Sequence, residues 1–133
     1  MTRKVATIRI HNLRLRTLIG FNPDERVKKQ DIVINADIAY ALEDGVFDDR
    51  VDDALNYKTI TKAIIELVED GQFLLLEKLV SDVLAICTAD DCVQRASVTI
   101  EKPHALRFAD SVSLTLEYPA ELAAAPRLLE KAS

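Results

Sequence analysis

Glu77 is the first of three polar side chains at the ends of predicted elements that could carry chemistry. It interrupts the apolar stretch Phe73–Leu79, in the first turn of a predicted helix, where the helix dipole favours a negative charge. One interpretation is that the carboxylate only compensates that dipole. The other is that it faces a pocket and accepts two hydrogen bonds from an amidine-like edge, such as that of a pterin or guanine.

Lys102 and Tyr57 are the other two candidates. Lys102 ends a predicted strand just before Pro103, and Tyr57 lies in the first turn of a predicted helix. They could simply be a solvated strand end and a core aromatic with its hydroxyl at the surface. If they line a pocket, the lysine could donate a proton to a heterocyclic nitrogen, or order a water that does so, and the phenol could exchange a proton with a substrate hydroxyl.

Other catalytic constellations are missing from the sequence. Its three glycines form no phosphate-binding loop, and His11 and His104, the two histidines, belong to no group with metal-ligand spacing. No Gly-x-Ser-x-Gly elbow occurs. We therefore expect no metal site and no cofactor, and we disfavour nucleotide-fold and hydrolase interpretations.

Length and composition limit the class of protein. The chain has 133 residues, with 17 Lys and Arg against 22 Asp and Glu, so its net charge of −5 argues against a nucleic-acid partner. The apolar stretch Phe73–Leu76, like every other apolar stretch of the sequence, is too short to span a membrane, and we expect no secretory signal. With Cys87 and Cys92 read as reduced thiols, we expect a cytoplasmic protein, one domain over residues 1–119 and a flexible tail over residues 120–133.

Hydrophobic periodicity predicts four strands and two helices in the order ββααββ. The predicted strands cover residues 7–19, 32–40, 95–102 and 111–118, and the predicted helices run from Tyr57 to Val68 and from about Leu75 to Thr88. These elements indicate an α+β fold, in which a four-stranded antiparallel sheet carries two helices on one face. Such a sheet leaves two unpaired edges. We therefore expect several copies to join their sheets into a barrel, as a ring-shaped homo-oligomer.

Three local features refine this prediction. The alternation of the first strand slips by one residue at Asn12, which is typical of a β-bulge. Asn56 precedes the first helix and is a suitable N-cap. The acidic segment from Leu42 to Asp53 contains Gly45, and we expect it to be an exposed connection.

A set of motifs extends over residues 5–118: Gly20, Glu25, Gln30, Asn56-Tyr57, Leu75–Leu79 and Lys102. Together with the order ββααββ, these motifs resemble the dihydroneopterin aldolase family and its tunnelling fold. Two longer stretches, residues 13–20 and 102–112, look like the epimerase branch of that family. The resemblance then implies inversion of C2′ of 7,8-dihydroneopterin 3′-triphosphate, which gives 7,8-dihydromonapterin 3′-triphosphate, by a metal-free retro-aldol and aldol sequence.

The resemblance also implies a role for each matching residue. Glu77 would hold the 2-amino and N3 edge of the pterin, and Lys102 would act as acid and base at the ring nitrogen through water. Glu25 would orient that water or a proton relay, and Tyr57 of a neighbouring subunit would handle the proton of the side-chain hydroxyl. Further contacts with the pterin would come from Leu55, Asn56 and Leu76.

Family members form tetrameric rings, often paired into octamers, so the resemblance implies pterin sites between subunits. A triphosphate is multiply anionic, and we expect Arg107 to bind it, with Arg14, Arg16 and Arg26 as further candidates. Two alternatives remain. One is an aldolase that releases 6-hydroxymethyl-7,8-dihydropterin and glycolaldehyde in folate biosynthesis, and the other is a non-catalytic ring-forming protein that binds a purine-like ligand or serves as a scaffold.

Overall fold

The computed structural model describes residues 4–120 of the chain. Its elements are, in chain order, β1 (Val5–Ile19), β2 (Gln30–Ala41), α1 (Tyr57–Glu69), β3 (Gln72–Phe73), α2 (Leu76–Cys87), β4 (Val93–Pro103) and β5 (Ser111–Tyr118). No helix among these residues is long and apolar enough to cross a membrane. Apart from Ala120, the predicted tail lies outside the described residues.

The sheet has five strands in the order β3-β1-β2-β4-β5, one more than the sequence predicts. The four long strands pair antiparallel, as expected. The additional strand, β3, pairs parallel to the end of β1 through Leu18–Gln72 and Ile19–Phe73. Two residues cannot show an alternating pattern, so periodicity did not reveal this strand.

Both helices pack on one face of this sheet, which confirms the predicted α+β arrangement. The strands contribute apolar side chains that are fully buried, and the helices cover them with their own. This core includes Ile32, Ile34, Ile38, Val98 and Ile100 of the sheet, Ile64 and Val68 of α1, and Leu79, Val80 and Val83 of α2. Burial of one such side chain contributes about 1.5–3 kcal/mol to folding.

The predicted β-bulge at Asn12 is present. The pairing of β1 with β2 shifts register between Ile10 and Leu13, and Asn12 has a φ of 51°. Its backbone N–H donates to Asn35 Oδ1 at 2.9 Å, which satisfies a donor that the bulge removes from the ladder. Beyond the bulge, β1 again turns apolar side chains toward the helices and ends at the buried Ile19.

The helix ends follow local chemistry. Asn56 caps α1 as predicted, because its Oδ1 accepts from the backbone N–H groups of Lys58 and Thr59 at 3.1 and 3.2 Å. Helix α2 is one residue shorter at each end than predicted. Leu75 is extended (φ −118°, ψ 138°), and Thr88 (φ −105°, ψ 9°) no longer has helical backbone angles. Strand β4 begins two residues earlier than predicted, at Val93.

The acidic segment is more structured than the expected plain connection. It holds two short 3-10 helices, Asp44–Asp48 and Val51–Asp53, neither of which has a buried residue. The exposure is as predicted. The 3-10 turns escaped prediction because such short turns need no hydrophobic periodicity.

Candidate active site

An ion pair joins Glu25, in the loop after β1, to Lys102, near the end of β4. Lys102 Nζ donates to Glu25 Oε2 at 3.0 Å, although the two residues are 77 positions apart in sequence. Their side chains are only 13% and 24% exposed for Lys102 and Glu25, respectively. The hydrogen bond from Lys102, and next the one from Gln30, lower the pKa of Glu25 below its usual range. The carboxylate is therefore charged at neutral pH.

Gln30 holds the Glu25 carboxylate by a hydrogen bond, and Gly20 leaves the space that this carboxylate occupies. Gln30 Nε2 donates to Glu25 Oε2 at 3.0 Å and to the backbone oxygen of Ile19 at 2.6 Å. Gly20 has a φ of 128°, and a Cβ at this position would overlap the Glu25 carboxyl group. Glycine is thus required both by its backbone conformation and by the close approach of Glu25. Gln30 is among the motif residues of the sequence, but no role was predicted for it.

A cleft of about 350 Å³ opens beside this ion pair, and we call it the Glu77 cleft. Glu77 and Lys102 are the charged residues that line it, and most of the remaining wall is apolar, including Phe21, Leu74, Leu75, Leu76, Ala105 and Val112. Glu77 lies in the first turn of α2 and is exposed. No ion pair within residues 4–120 involves its carboxylate. Apolar walls with a few convergent charged groups are typical of a site for a small, flat, polar-edged ligand.

A second cleft, of about 660 Å³, adjoins the first, and we call it the loop cleft. Phe21 and Leu74 line both clefts. Glu25 lines the loop cleft and Lys102 lines the Glu77 cleft, so their ion pair marks the boundary between the two. Arg26 is a further charged residue of the loop cleft.

Leu55, Asn56 and Tyr57 lie at the other end of the helices. Leu55 and Asn56 line a separate groove with Ile86 and Asp90, which places the start of α1 beside the end of α2. Helix α1 has 13 residues and is about 20 Å long, so its first turn is most of that length away from the connection that leads to Glu77. Tyr57 is 53% exposed there. A single chain therefore does not bring Tyr57 to Glu77 and Lys102.

Arg107 occupies a third place, the exposed loop between β4 and β5. Its guanidinium carbon lies 5.6 Å from the centroid of the Phe108 ring. Of the residues predicted from the sequence, one chain thus assembles Glu25, Leu76, Glu77 and Lys102. It leaves Leu55, Asn56 and Tyr57 at its opposite end.

Sequence comparisons place this site among known proteins. The family model described as FolB, dihydroneopterin aldolase, matches residues 8–117. The chain is 51% identical to the dihydroneopterin triphosphate 2′-epimerase of Escherichia coli over 118 residues, which cover 89% of this chain and 98% of the relative. It is 48% identical to the protein of the same name from Pseudomonas aeruginosa, over 84% of this chain and 91% of the relative.

Solved structures with a similar fold come from the same family. The E. coli dihydroneopterin aldolase in complex with neopterin has a TM-score of 0.78 and 25% identity, over 84% of this chain and 97% of that one. A Vibrio cholerae structure described as a dihydroneopterin aldolase also has a TM-score of 0.78, with 28% identity over 84% of this chain and 95% of that one. This chain belongs to the dihydroneopterin aldolase family and has its tunnelling fold.

Proposed function

We propose that this chain is an isomerase that inverts C2′ of 7,8-dihydroneopterin 3′-triphosphate and forms 7,8-dihydromonapterin 3′-triphosphate. Relatives that are 51% and 48% identical over most of their length carry the name of this activity. The structural observation that carries the proposal is the Glu25–Lys102 ion pair at 3.0 Å, at the edge of a cleft that also holds Glu77.

The chemistry of the substrate explains why this set of residues is sufficient. A 7,8-dihydropterin has a C=N bond next to its side chain, and protonation of that nitrogen makes the ring an electron sink. When the 2′-hydroxyl loses its proton, the C1′–C2′ bond breaks, its electrons form a C1′–C6 double bond, and C2′ becomes an aldehyde. The step needs neither a Schiff-base lysine nor a metal ion.

Glu77 is the proposed anchor for the pterin ring. Its carboxylate would accept hydrogen bonds from N3–H and from the 2-amino group, a charge-assisted bidentate arrangement. Its place in the first turn of α2 also supports a negative charge, because the helix N-terminus carries a positive partial charge. The apolar wall of the Glu77 cleft, including Leu76, would contact the faces of the ring.

Lys102 and Glu25 are the proposed acid and base machinery at the ring nitrogen. Lys102 would protonate that nitrogen through a water molecule and later recover the proton. Glu25 would orient the water and keep the ammonium group of Lys102 in place, which its own lowered pKa and its bond from Gln30 support. Both residues touch the same boundary between the two clefts, where the reacting carbons would lie.

Inversion requires that the aldehyde fragment stays bound and turns over before C1′ attacks it again. If the fragment leaves and C1′ is protonated instead, the products are those of an aldolase. This second function is favoured by the family model and by a Haemophilus influenzae dihydroneopterin aldolase that is 28% identical over 80% of this chain. Both outcomes use one intermediate, so a minor aldolase activity is compatible with the proposal.

We further propose that the site is shared between copies of the chain. Four copies would form a ring, and two rings would pair into an octamer. The outer edge of β1 meets β3 only at Leu18 and Ile19, and β5 forms the opposite edge of the sheet. Because β5 runs antiparallel to β1, rotation about a ring axis can lay β5 of one copy against the free part of β1 in the next.

The position of Tyr57 supports this arrangement. Thr17 near the end of β1 donates to the backbone oxygen of Val68 at 2.6 Å, so α1 ends over the end of β1. Tyr57 lies 11 residues before Val68, about 17 Å back along the helix, and would face the β5 edge of the next copy where that edge pairs with β1. Lys102 pairs with Val112 at the start of β5. The neighbouring Tyr57 would thus approach Lys102 and could exchange the proton of the 2′-hydroxyl.

Incubation with 7,8-dihydroneopterin 3′-triphosphate tests the reaction. After oxidation and removal of the phosphates, chromatography that separates neopterin from monapterin should show monapterin formed by the wild-type protein. The Lys102→Ala variant should form far less, with an unchanged far-ultraviolet circular dichroism spectrum. Dominant release of 6-hydroxymethyl-7,8-dihydropterin would instead identify an aldolase.

Mixed oligomers test the shared site. Tyr57→Phe and Lys102→Ala should each be nearly inactive, but a mixture assembled in equal amounts should regain about one quarter of the wild-type sites, since each restored site takes Lys102 from one copy and Tyr57 from another. No recovery in the mixture would show that both residues must come from one chain.

The cysteines support the proposed cytoplasmic location. Cys87 and Cys92 are both free thiols; burial raises the pKa of Cys87 to about 11, and burial together with the neighbouring Asp90 raises the pKa of Cys92 to about 11. Such thiols are almost fully protonated at neutral pH and react slowly. They suit a reducing compartment.

A further inference from the structure

The substrate in the proposed function carries a triphosphate, so a site for its phosphates depends on that function. The four arginines expected as phosphate ligands, Arg14, Arg16, Arg26 and Arg107, lie in different parts of the structure. Arg14 and Arg16 alternate with the buried Leu15, so they lie on the face of the sheet that the helices leave open. Arg16 is also engaged, because it pairs with Asp31 at 3.2 Å and donates to the backbone oxygen of Lys29 at 3.0 Å.

Arg26 lies in a different position from the other three. It lines the loop cleft together with Glu25, on the side of the molecule that holds the proposed reaction site. It is exposed, and no ion pair within residues 4–120 involves its guanidinium. Arg107, on the exposed loop after β4, lies over the ring of Phe108 and lines neither cleft.

The order of groups in the substrate matches the order of the two clefts. With the pterin edge on Glu77, as proposed, the reacting carbons C1′ and C2′ would lie near the Glu25–Lys102 boundary. The next carbon, C3′, carries the phosphates and would point beyond that boundary in this orientation. The loop cleft lies there, and it is the larger of the two, at about 660 Å³ against 350 Å³.

We propose that the loop cleft is the polyphosphate subsite and that the Arg26 guanidinium is its principal charged contact. Glu25 does not oppose this role, because its charge is already paired with Lys102 at 3.0 Å. A guanidinium presents a planar fork of donors that matches two phosphate oxygens.

This subsite would also decide the outcome of the reaction. After the C1′–C2′ bond breaks, the aldehyde carbon and the phosphates belong to the same fragment. A contact between Arg26 and the phosphates would hold the fragment while its carbonyl turns over, and C1′ would add to the opposite face. Without that contact more of the fragment, glycolaldehyde triphosphate, would leave, and protonation of C1′ would give 6-hydroxymethyl-7,8-dihydropterin.

The test compares Arg26→Ala with a matched control and a rival. Lys28→Ala removes the same charge from the same loop at an exposed residue that lines neither cleft, and Arg107→Ala tests the residue expected from the sequence. Two quantities are measured for each variant. The first is the ratio of kcat/KM for the triphosphate substrate to kcat/KM for dihydroneopterin, and the second is the share of triphosphate substrate that ends as 6-hydroxymethyl-7,8-dihydropterin.

For Arg26→Ala we expect the ratio to fall about tenfold or more, since a hydrogen bond to a charged group contributes on the order of tenfold in affinity. The share of cleaved product should rise, and Arg26→Lys should recover part of both. Lys28→Ala should change the ratio less than about twofold. A larger effect of Arg107→Ala, or equal effects of Arg26→Ala and Lys28→Ala, would overturn the assignment.

Calorimetric titration with inorganic triphosphate keeps this test separate from the proposed function. Binding that is present in the wild type and Lys28→Ala but lost in Arg26→Ala would support the subsite even if no epimerisation occurred. Binding that survives in Arg26→Ala would reject the subsite even if the wild type were an active epimerase.

Discussion

The ion pair between Glu25 and Lys102 should couple the two residues energetically in a way that depends on pH. The perturbations are Glu25→Gln and Lys102→Met, which remove one charge each and nearly keep the shapes, together with the double variant. At 3.0 Å and an effective dielectric constant of about 20, the Coulomb attraction is about 5.5 kcal/mol. The side chains are 13% and 24% exposed, so the cost of desolvation cancels much of that attraction. We expect a coupling free energy of about 1–2 kcal/mol at neutral pH.

The sign of the pH dependence follows from the lowered pKa of Glu25. Above the unfolded-state pKa, near 4.5, the carboxylate is charged in both states and the pair stabilises the folded state in full. As the pH falls through the still lower native pKa, the folded protein takes up the proton and this stabilisation is lost.

Urea unfolding of the four proteins measures the coupling, at one protomer concentration because assembly also contributes to stability. The double-mutant cycle should give about 1–2 kcal/mol at pH 7 and progressively less as the pH falls below the usual range of a glutamate and Glu25 takes up its proton. A coupling that is absent at pH 7, or that keeps its size in acid, would refute the reasoning. In Lys102→Met, the pKa of Glu25, followed by carbon NMR of its carboxyl group, should move back toward its usual value.

Three further substitutions test other features of the site and its support. Gly20→Ala places a Cβ at a φ of 128° against the Glu25 carboxyl group, so we expect a loss of about 1–3 kcal/mol in urea unfolding and most of the turnover; wild-type stability would contradict this. Asn56→Ala removes the two cap bonds of α1 and should cost about 1 kcal/mol in the same assay, with recovery in Asn56→Asp. Glu77→Gln should weaken dihydroneopterin binding about tenfold or more by calorimetry, and unchanged affinity would exclude it as the anchor.

The sequence predicted those parts of the fold that repeat or that depend on one residue type. The alternation in β1 and its slip at Asn12 were enough to place the bulge, and Asn56 was enough to place the start of α1. Strand β5 has the predicted bounds, Ser111–Tyr118. Strand β3 was missed because its two residues are held by pairing with β1, which is a tertiary contact and leaves no local pattern.

The site could be predicted residue by residue but not as an arrangement. Glu77 and Lys102 stood out because they interrupt or end apolar elements, whereas Glu25 came from family resemblance alone. That Glu25 and Lys102 touch depends on how the ends of β1 and β4 meet, 77 residues apart. The requirement for glycine at position 20 likewise becomes visible only when the Glu25 side chain is placed against it.

The two-residue strand β3 determines which segments of this chain can change in length without moving the site residues. Its pairing with Leu18 and Ile19, and the bond from Gly20 N–H to the Phe73 oxygen at 2.9 Å, anchor two segments at one point. Glu25 follows that anchor by five residues and Glu77 by four, so a one-residue insertion in either interval would displace one carboxylate relative to the other. Insertions between the 3-10 turns of residues 44–53 would leave both in place. Natural length variation should therefore collect in that acidic segment.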